Sequence, residues 1–291
     1  MYFHRVHIEV TNICGLSCSF CTPKKQPPKT MSIAFFEKVL TELKPYTRTL
    51  AFHILGDPLT LSNLALYLES AYLQGFEVEL TTSGYYLKKT PFSTLFHPAV
   101  RQINISLNSY NKNSLNMGFE EYMQSVMKIC KEKLKNHPKP FINLRIWNLD
   151  EHFSELSFNK KIFDYLRQHF DIEVDETKIY EEKIRSIRID SKIVLRFDNY
   201  FEWPSLTSSH QSHGSCYGLK SHIGILADGT VVPCCLDGEG VINLGNIGEI
   251  PLKEILKANR AQTMIKGFAQ MKAVEELCVK CSYKNRFQNF L

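Results

Sequence analysis

Residues 6–21 read VHIEVTNICGLSCSFC, a strand-like run followed closely by three cysteines. The first five letters have the β-branched composition of a buried strand. Cys14, Cys18 and Cys21 then follow with the spacing CxxxCxxC. Ligands of parallel α/β sheets bind beyond the carboxyl ends of the strands, so this loop lies where a cofactor is expected. Three thiolates on a short loop can hold three irons of a 4Fe-4S cluster and leave the fourth iron open for chemistry.

Two other interpretations of this loop have to be weighed against the cluster. A structural zinc site usually takes four protein ligands. The nearby candidates, His4 and His7, lie ahead of or inside the first strand, and their side chains are expected to point across the sheet. The other interpretation is three cysteines that pack as small apolar side chains. Spacing and position together favour the cluster.

Strand-like and helix-like segments alternate from the first residues to about residue 170. Strands are predicted at residues 6–10, 49–54, 77–80, 102–107 and 141–147. Helices are predicted at residues 32–43, 62–73, 120–134 and 152–168. Repeated strand–helix units predict an α/β fold with a parallel sheet. Right-handed crossovers allow such a sheet either to curve toward a barrel or to stay open and doubly wound.

Composition narrows the class of protein. With 291 residues, 44% of them hydrophobic and 22% charged, the chain can bury a sizeable core, which excludes a disordered or collagen-like protein. A net charge of +5 is too small an excess to argue nucleic-acid binding on its own. The sequence has no long apolar run and no secretory signal, so we expect a cytoplasmic protein without a membrane span.

A second group of cysteines lies toward the end of the chain. Cys216 precedes an Asp-Gly turn at residues 228–229 that predicts a β-hairpin, and Cys234 is expected at the end of the second strand of that hairpin. A predicted helix over residues 251–268 then leads to Cys278 and Cys281. Four such thiolates can close a second 4Fe-4S cluster or hold one zinc ion, and spacing alone leaves both open.

Two cysteines are left over from these groups. Cys235 is a substitute candidate for Cys234, because neighbours in a strand face opposite ways. Cys130, on a predicted helix, is expected to be a packed thiol. An odd number of cysteines in tight groups is poor arithmetic for disulfides and indicates a reducing compartment.

The first cysteine loop resembles that of the radical S-adenosylmethionine (SAM) enzymes, in which an aromatic residue such as Phe20 stands between the last two cysteines. The resemblance implies a partial (βα)6, TIM-like barrel. It implies that the open iron binds the amino and carboxylate groups of SAM. One electron, from an external donor such as flavodoxin or ferredoxin, then cleaves SAM to methionine and a 5′-deoxyadenosyl radical that abstracts a substrate hydrogen.

Other strand ends resemble SAM-binding segments of the same family. Leu55-Gly56-Asp57-Pro58 stands where the family usually has Gly-Gly-Glu-Pro, with Leu55 and Asp57 as departures. The turn at residues 81–84, the segment at residues 105–108 and the arginine of residues 144–146 fall at the ends of the next strands. The cofactor-binding residues that the resemblance implies are Phe20, Gly56, Asp57, Ser83, Ser106, Asn108 and Arg145.

The second cysteine group resembles the SPASM/twitch extension of radical SAM enzymes, which carries auxiliary clusters. With no cysteine after Cys281, we expect one auxiliary 4Fe-4S cluster, held by Cys216, Cys234, Cys278 and Cys281. Because no iron would remain open, an electron-relay role is favoured. We expect a partial barrel over residues 1–200 and the extension, a β-hairpin plus a helix, over residues 201–291.

The expected function is that of a radical SAM oxidoreductase or transferase. The family acts on peptide or protein side chains, nucleotides or tRNA, and sugars. Lys24, Lys25 and Lys29 follow the first cysteine loop, and an anionic substrate is one hypothesis for them. No general acid or base is assigned. The alternative from a different class is a non-catalytic protein with two zinc sites.

Overall fold

The structure is a computed structural model that describes residues 1–22, 25–113, 117–147, 156–198, 202–211 and 214–290. The chain forms two compact units. Unit 1 contains residues 1–15, 20–78 and 201–291. Unit 2 contains residues 16–19 and 79–200. The predicted division near residue 200 stays a prediction, whereas the packing joins the C-terminal segment to the first part of the chain.

The strands and helices follow the predicted alternation. The strands are β1 (Arg5–Ile8), β2 (Thr49–Phe52), β3 (Glu77–Thr82), β4 (Val100–Ser106), β5 (Phe141–Trp147), β6 (Ser186–Asp190), β7 (Ile193–Asp198), β8 (His222–Ile225) and β9 (Val231–Val232). The helices are α1 (Ile33–Leu43), α2 (Leu64–Leu73), α3 (Phe92–Leu95), α4 (Asn108–Asn111), α5 (Phe119–Asn136), α6 (Leu156–His169), α7 (Glu176–Glu181), α8 (Leu252–Lys257), α9 (Asn259–Ala269) and α10 (Glu276–Val279). Two 3-10 helices cover Pro58–Thr60 and Ser282–Phe290.

Helix α1 shows how the sequence pattern becomes packing. The Ser32 side chain caps the helix by accepting a hydrogen bond from the Phe35 amide at 3.2 Å. The buried residues recur at the helical period and form one stripe: Phe36, Val39, Leu40 and Leu43. The Phe36 ring meets Phe52 of β2 edge-on at 5.7 Å. The helix therefore covers one face of the unit 1 sheet.

The unit 1 sheet has the strand order β2-β1-β8-β9. β1 pairs in parallel with β2 on one side and with β8 on the other, so Val6 lies opposite both Leu50 and Ile223. β8 and β9 form the predicted antiparallel hairpin, with Gly229 in its turn at φ +91°. The hairpin is thus confirmed. Its first strand also extends the parallel sheet beside β1, which the sequence did not predict.

Unit 2 holds the strand order β3-β4-β5-β7-β6. β5 pairs in parallel with both β4 and β7, while β6 and β7 form an antiparallel hairpin. Residues 186–198 therefore form two strands joined as a hairpin. Among the described strands neither unit closes into a ring, as expected for a partial barrel.

The prediction of a single helix over residues 251–268 is wrong. Residues 251–268 form two helices, because Ala258 takes the extended conformation at φ −58° and ψ 149° between α8 and α9. Different partners hold the two parts. The Glu42 carboxylate accepts the first amide of α8, from Leu252, at 3.0 Å. In α9, Arg260 forms a double hydrogen bond with Glu275 at 2.8 Å. The helix predicted from residue 152 begins at Leu156, and residues 152–155 lie outside the described residues.

Three histidines on adjacent strands of unit 1 lie side by side. The His7 ring is 6.0 Å from that of His53 and 5.7 Å from that of His222, centroid to centroid. Burial, together with the two neighbouring imidazoles and Arg5, lowers the pKa of His7 well below its ordinary value. Burial and the charge of Arg5 lower the pKa of His222 to about 4. Both imidazoles are therefore neutral in the folded protein at neutral pH.

We expect acid to destabilise the protein through this histidine row. The unfolded chain takes up the His222 proton near pH 6.5, whereas the folded chain takes it up only near 4. Stability is therefore lost as the pH falls through this window. In the His222→Gln variant the free energy of unfolding, measured by urea titration between pH 7 and 4, should fall less steeply. The exposed His4→Gln variant is the control, and equal slopes for both variants would contradict the expectation.

Candidate metal centres and cofactor site

The first cysteine loop is closed at its base by side chains of unit 1. The Asn12 side chain accepts a hydrogen bond from the Lys29 amide at 2.7 Å and donates one to the Pro27 carbonyl at 2.9 Å. Thr11 reaches the Lys29 carbonyl at 3.2 Å. The loop between them is thus fixed where it leaves and rejoins the fold, with Cys14 and Cys21 half-buried on it.

The segment after β2 packs directly against this loop base. The Asp57 amide donates to the Ile13 carbonyl at 3.0 Å, next to Cys14. The Asp57 carboxylate caps the short 3-10 helix by accepting from the Leu59 amide at 3.0 Å. A Cβ at Gly56 would lie 1.8 Å from the Thr11 carbonyl oxygen, so only glycine fits there. Gly56 and Asp57, two of the residues predicted to bind the cofactor, therefore lie beside the loop.

Leu55, a departure from the family pattern, has a local structural reason. Its side chain is buried in an apolar cluster with Ile54, Leu226 and Val232. A Cβ at Gly238 would lie only 2.6 Å from the Leu55 side chain. The bulk of Leu55 is thus matched by a glycine in the C-terminal segment of the same unit.

One carboxylate joins the ends of three strands in unit 1. Glu9, just past β1, is buried, and its two oxygens accept from the Leu55 and Ala227 amides, each at 3.2 Å. Leu55 follows β2 and Ala227 follows β8. Glu9 is not among the site residues predicted from the sequence. The available signal was a charged side chain between the apolar residues of the first strand.

Four of the remaining SAM-binding candidates belong to unit 2: Ser83, Ser106, Asn108 and Arg145. Ser106 at the end of β4 lies opposite Arg145 of β5, and the Leu107 amide donates to the Arg145 carbonyl at 3.0 Å. Asn108 follows as the buried first residue of α4. The Cys18 thiol lies 3.9 Å from the carbonyl of the next residue, Ser109. Within unit 2 the structure thus brings Cys18 close to the candidates at the end of β4.

Ser83 and Phe20 have separate surroundings. The Ser83 hydroxyl accepts from the Tyr85 amide at 3.4 Å, and its carbonyl accepts from the Tyr122 hydroxyl at 2.8 Å. The turn continues through Gly84 at φ +90°. Phe20 is half-buried in unit 1, beside Cys21 in the sequence.

The second cysteine group comes together in unit 1. Burial raises the pKa of the Cys216, Cys234, Cys278 and Cys281 thiols. Cys281 further raises the pKa of Cys216, while Cys216 raises those of Cys234 and Cys278. The four sulfurs are therefore within electrostatic reach of one another. Such thiols are donors that a cationic metal core stabilises as thiolates, so this donor set fits an iron–sulfur cluster.

The neighbouring cysteines 234 and 235 have different surroundings. Cys234 is half-buried, and the charges of Cys235, Cys216 and Cys278 add to burial in raising its pKa. Cys235 instead packs on the Ile54–Leu55–Leu226–Val232 cluster, which also contacts Cys21 and Trp203. Across the described residues, no three His, Cys, Asp or Glu side chains form a ready single-ion metal site. Cys130 is fully buried on α5, as predicted.

The basic residues after the first loop are only partly described. Lys24 lies outside the described residues. The Lys25 amide donates to both carboxylate oxygens of Glu239, at 3.1 and 3.2 Å. Lys29 is exposed, and its backbone takes part in closing the loop base.

Comparison with known proteins identifies the family. The model of the radical SAM superfamily matches residues 8–151. The model of the SPASM iron–sulfur cluster-binding domain matches residues 216–282. The chain belongs to the radical SAM superfamily and carries a C-terminal SPASM domain; it is an enzyme of that superfamily. No curated protein sequence is significantly similar to it.

Solved structures show the same fold at low sequence identity. Native anSMEcpe with bound AdoMet and the Cp18Cys peptide gives a TM-score of 0.59 at 15% identity, covering 97% of this chain and 87% of that one. BtrN in complex with AdoMet and 2-DOIA gives 0.54 at 15%, covering 97% and 94%. Streptococcus suis SuiB bound to S-adenosylmethionine gives 0.52 at 13%, covering 99% and 72%. The predicted α/β partial barrel is confirmed. Within the described residues no helix is long and apolar enough to cross a membrane.

Replacing the strand-joining carboxylate should destabilise the fold. In Glu9→Gln, an amide NH2 replaces one acceptor oxygen and faces a backbone N–H. We expect the free energy of unfolding, measured by urea titration, to fall by about 1–3 kcal/mol. The exposed Glu249→Gln variant should match the parent protein. Equal stability of the two variants would show that Glu9 does not hold the strand ends together.

Proposed function

We propose that this protein is a radical SAM oxidoreductase or transferase in which Cys14, Cys18 and Cys21 hold a 4Fe-4S cluster. The observation that carries the proposal is the superfamily match over the CxxxCxxC loop, which follows β1 and is closed at its base by Thr11 and Asn12. With SAM bound, the reduced cluster would supply the electron that cleaves SAM to methionine and a 5′-deoxyadenosyl radical. This radical would then abstract a hydrogen atom from the substrate.

The surrounding residues bind and orient SAM in this proposal. The absent side chain of Gly56 lets its segment approach the loop base, and the cap on the 3-10 helix holds the Asp57 carboxylate, which in this proposal accepts a hydrogen bond from the SAM amino group. Ser106, Asn108 and Arg145, at the ends of β4 and β5, offer a hydroxyl, an amide and a guanidinium for the ribose and carboxylate. Ser83 and Phe20 are the other candidates. Their support is position on the fold and resemblance to the family.

We assign one auxiliary 4Fe-4S cluster to Cys216, Cys234, Cys278 and Cys281. The mutual electrostatic effects of these thiols support the assignment. Four thiolates leave no iron open to a substrate, so the favoured role is to pass electrons. A one-electron donor such as flavodoxin or ferredoxin is the proposed partner, in the cytoplasm.

Peptide or protein side chains, nucleotides or tRNA, and sugars remain the proposed substrate classes. Among the structural relatives, anSMEcpe holds a peptide and BtrN holds 2-DOIA, so one fold takes peptides and small molecules. Candidate substrates can be screened with deuterium labels. Transfer of deuterium into 5′-deoxyadenosine identifies the carbon that loses the hydrogen.

The cluster assignment predicts about eight irons per chain after anaerobic reconstitution. Adding SAM and dithionite should release 5′-deoxyadenosine. The Cys18→Ala variant should release none and lose about half of the iron, because the first cluster would keep only two of its three cysteine ligands. Cys130→Ala, which removes a thiol buried on α5, should behave as the parent. Two bound zinc ions and no SAM cleavage would refute the proposal and favour the zinc-binding alternative.

Variants of the two neighbouring cysteines, Cys234 and Cys235, should give different results in the same assay. Cys234→Ala should lose the auxiliary cluster and keep the first cluster and SAM cleavage. Cys235→Ala is the matched control and should keep about eight irons, because its thiol packs on apolar side chains. Iron and sulfide analysis with electron paramagnetic resonance measures both. The reverse pattern would assign the ligand to Cys235.

A further inference from the structure

A buried lysine closes the C-terminal cysteine turn. The Lys284 ammonium donates hydrogen bonds to the carbonyls of Cys278 at 2.6 Å, Val279 at 3.0 Å and Cys281 at 2.9 Å. Its residue is only 1% exposed. One side chain thus binds the backbone on both sides of the CVKC turn, whose two cysteines are proposed cluster ligands.

These hydrogen bonds define the charge of the group. A carbonyl oxygen only accepts, so three carbonyl partners require three N–H donors on one nitrogen. Lys284 is therefore bound as the ammonium ion. Its partners are neutral carbonyls rather than carboxylates, which leaves the positive charge uncompensated by them. A buried charge is costly unless it is paired, and the thiols of Cys281, Cys278 and Cys216 lie within its electrostatic reach.

The other lysine of the turn differs in this respect. Lys280 forms an ion pair with Glu276 at 2.9 Å, so its charge is largely neutralised nearby. Its side chain also donates to the Leu206 carbonyl. Of the two lysines, Lys284 is the one whose hydrogen bonds leave a net positive charge beside the cysteines.

We propose that Lys284 is a positioning residue of the auxiliary centre, which fixes the CVKC turn and raises the reduction potential of the bound cluster. The inference rests on the proposed function, because it requires a cluster at Cys216, Cys234, Cys278 and Cys281. Reduction adds one electron, and hence one negative charge, to the cluster. A fixed positive charge in a water-poor environment stabilises that added charge.

The test is a redox titration of the reconstituted full-length protein, followed by electron paramagnetic resonance. The signal of the auxiliary cluster is assigned in a Cys14→Ala/Cys18→Ala/Cys21→Ala background. Lys284→Met removes the charge and should shift the midpoint potential of this cluster downward. Lys284→Arg keeps the charge and should stay close to the parent value. Lys272→Met, which removes an exposed lysine from the same segment, should leave the potential unchanged.

A second neutral variant serves if the first one does not bind the auxiliary cluster. If Lys284→Met binds no second cluster, Lys284→Gln replaces it, because its amide keeps two donors without the charge. A neutral variant with the parent potential would overturn the inference, as would an equal shift in Lys284→Arg. The proposed function fails separately, if the parent protein itself holds no cluster at the second cysteine group.

Discussion

The buried carboxylate of Glu9 is the interaction on which the arrangement of unit 1 depends. A carboxylate without partners is costly to bury, and two backbone N–H donors from different strand ends offset that cost. The bond to Leu55 fixes the start of the Gly56–Asp57 segment, and the bond to Ala227 fixes the turn of the C-terminal hairpin. The first cysteine loop begins five residues after Glu9. The Glu9 side chain thus fixes one segment next to each group of cysteines.

Local sequence patterns predicted the elements because each pattern has a local physical cause. The stripe on α1 with its Ser32 cap, the alternating apolar residues of β5 and the Asp228–Gly229 turn all act within a few residues. The pairing of β8 with β1 has no such cause. Its apolar residues suit many partners, and the choice is made by a strand more than 200 residues away in the chain. The break at Ala258 was missed for a similar reason, since alanine favours a helix and distant side chains hold the two parts.

The candidate sites divide in the same way. Cysteine spacing identified the CxxxCxxC loop and the pair Cys278 and Cys281, because thiols on one turn are close in sequence. Glu9 and Lys284 were not predicted, because their hydrogen-bond partners are backbone groups and the sequence does not show which backbone groups a side chain contacts. The structure explains both departures from the family pattern. The Asp57 carboxylate caps the short 3-10 helix by accepting from the Leu59 amide, and Gly238 leaves room for the Leu55 side chain.

Cys234 and Cys235 are two ligand candidates that spacing in the sequence does not separate. Cys234 lies in a bend and Cys235 in the turn after β9, so the alternation of side chains along a strand does not apply to them. Spacing leaves both thiols open as ligands, and the proposal for Cys234 rests on its surroundings: Cys216 and Cys278 act on its thiol, whereas apolar side chains pack against Cys235. The same cluster packs against Cys21 of the first loop. One apolar cluster of unit 1 thus contacts Cys21 of the first loop and Cys235, the neighbour of the proposed ligand Cys234.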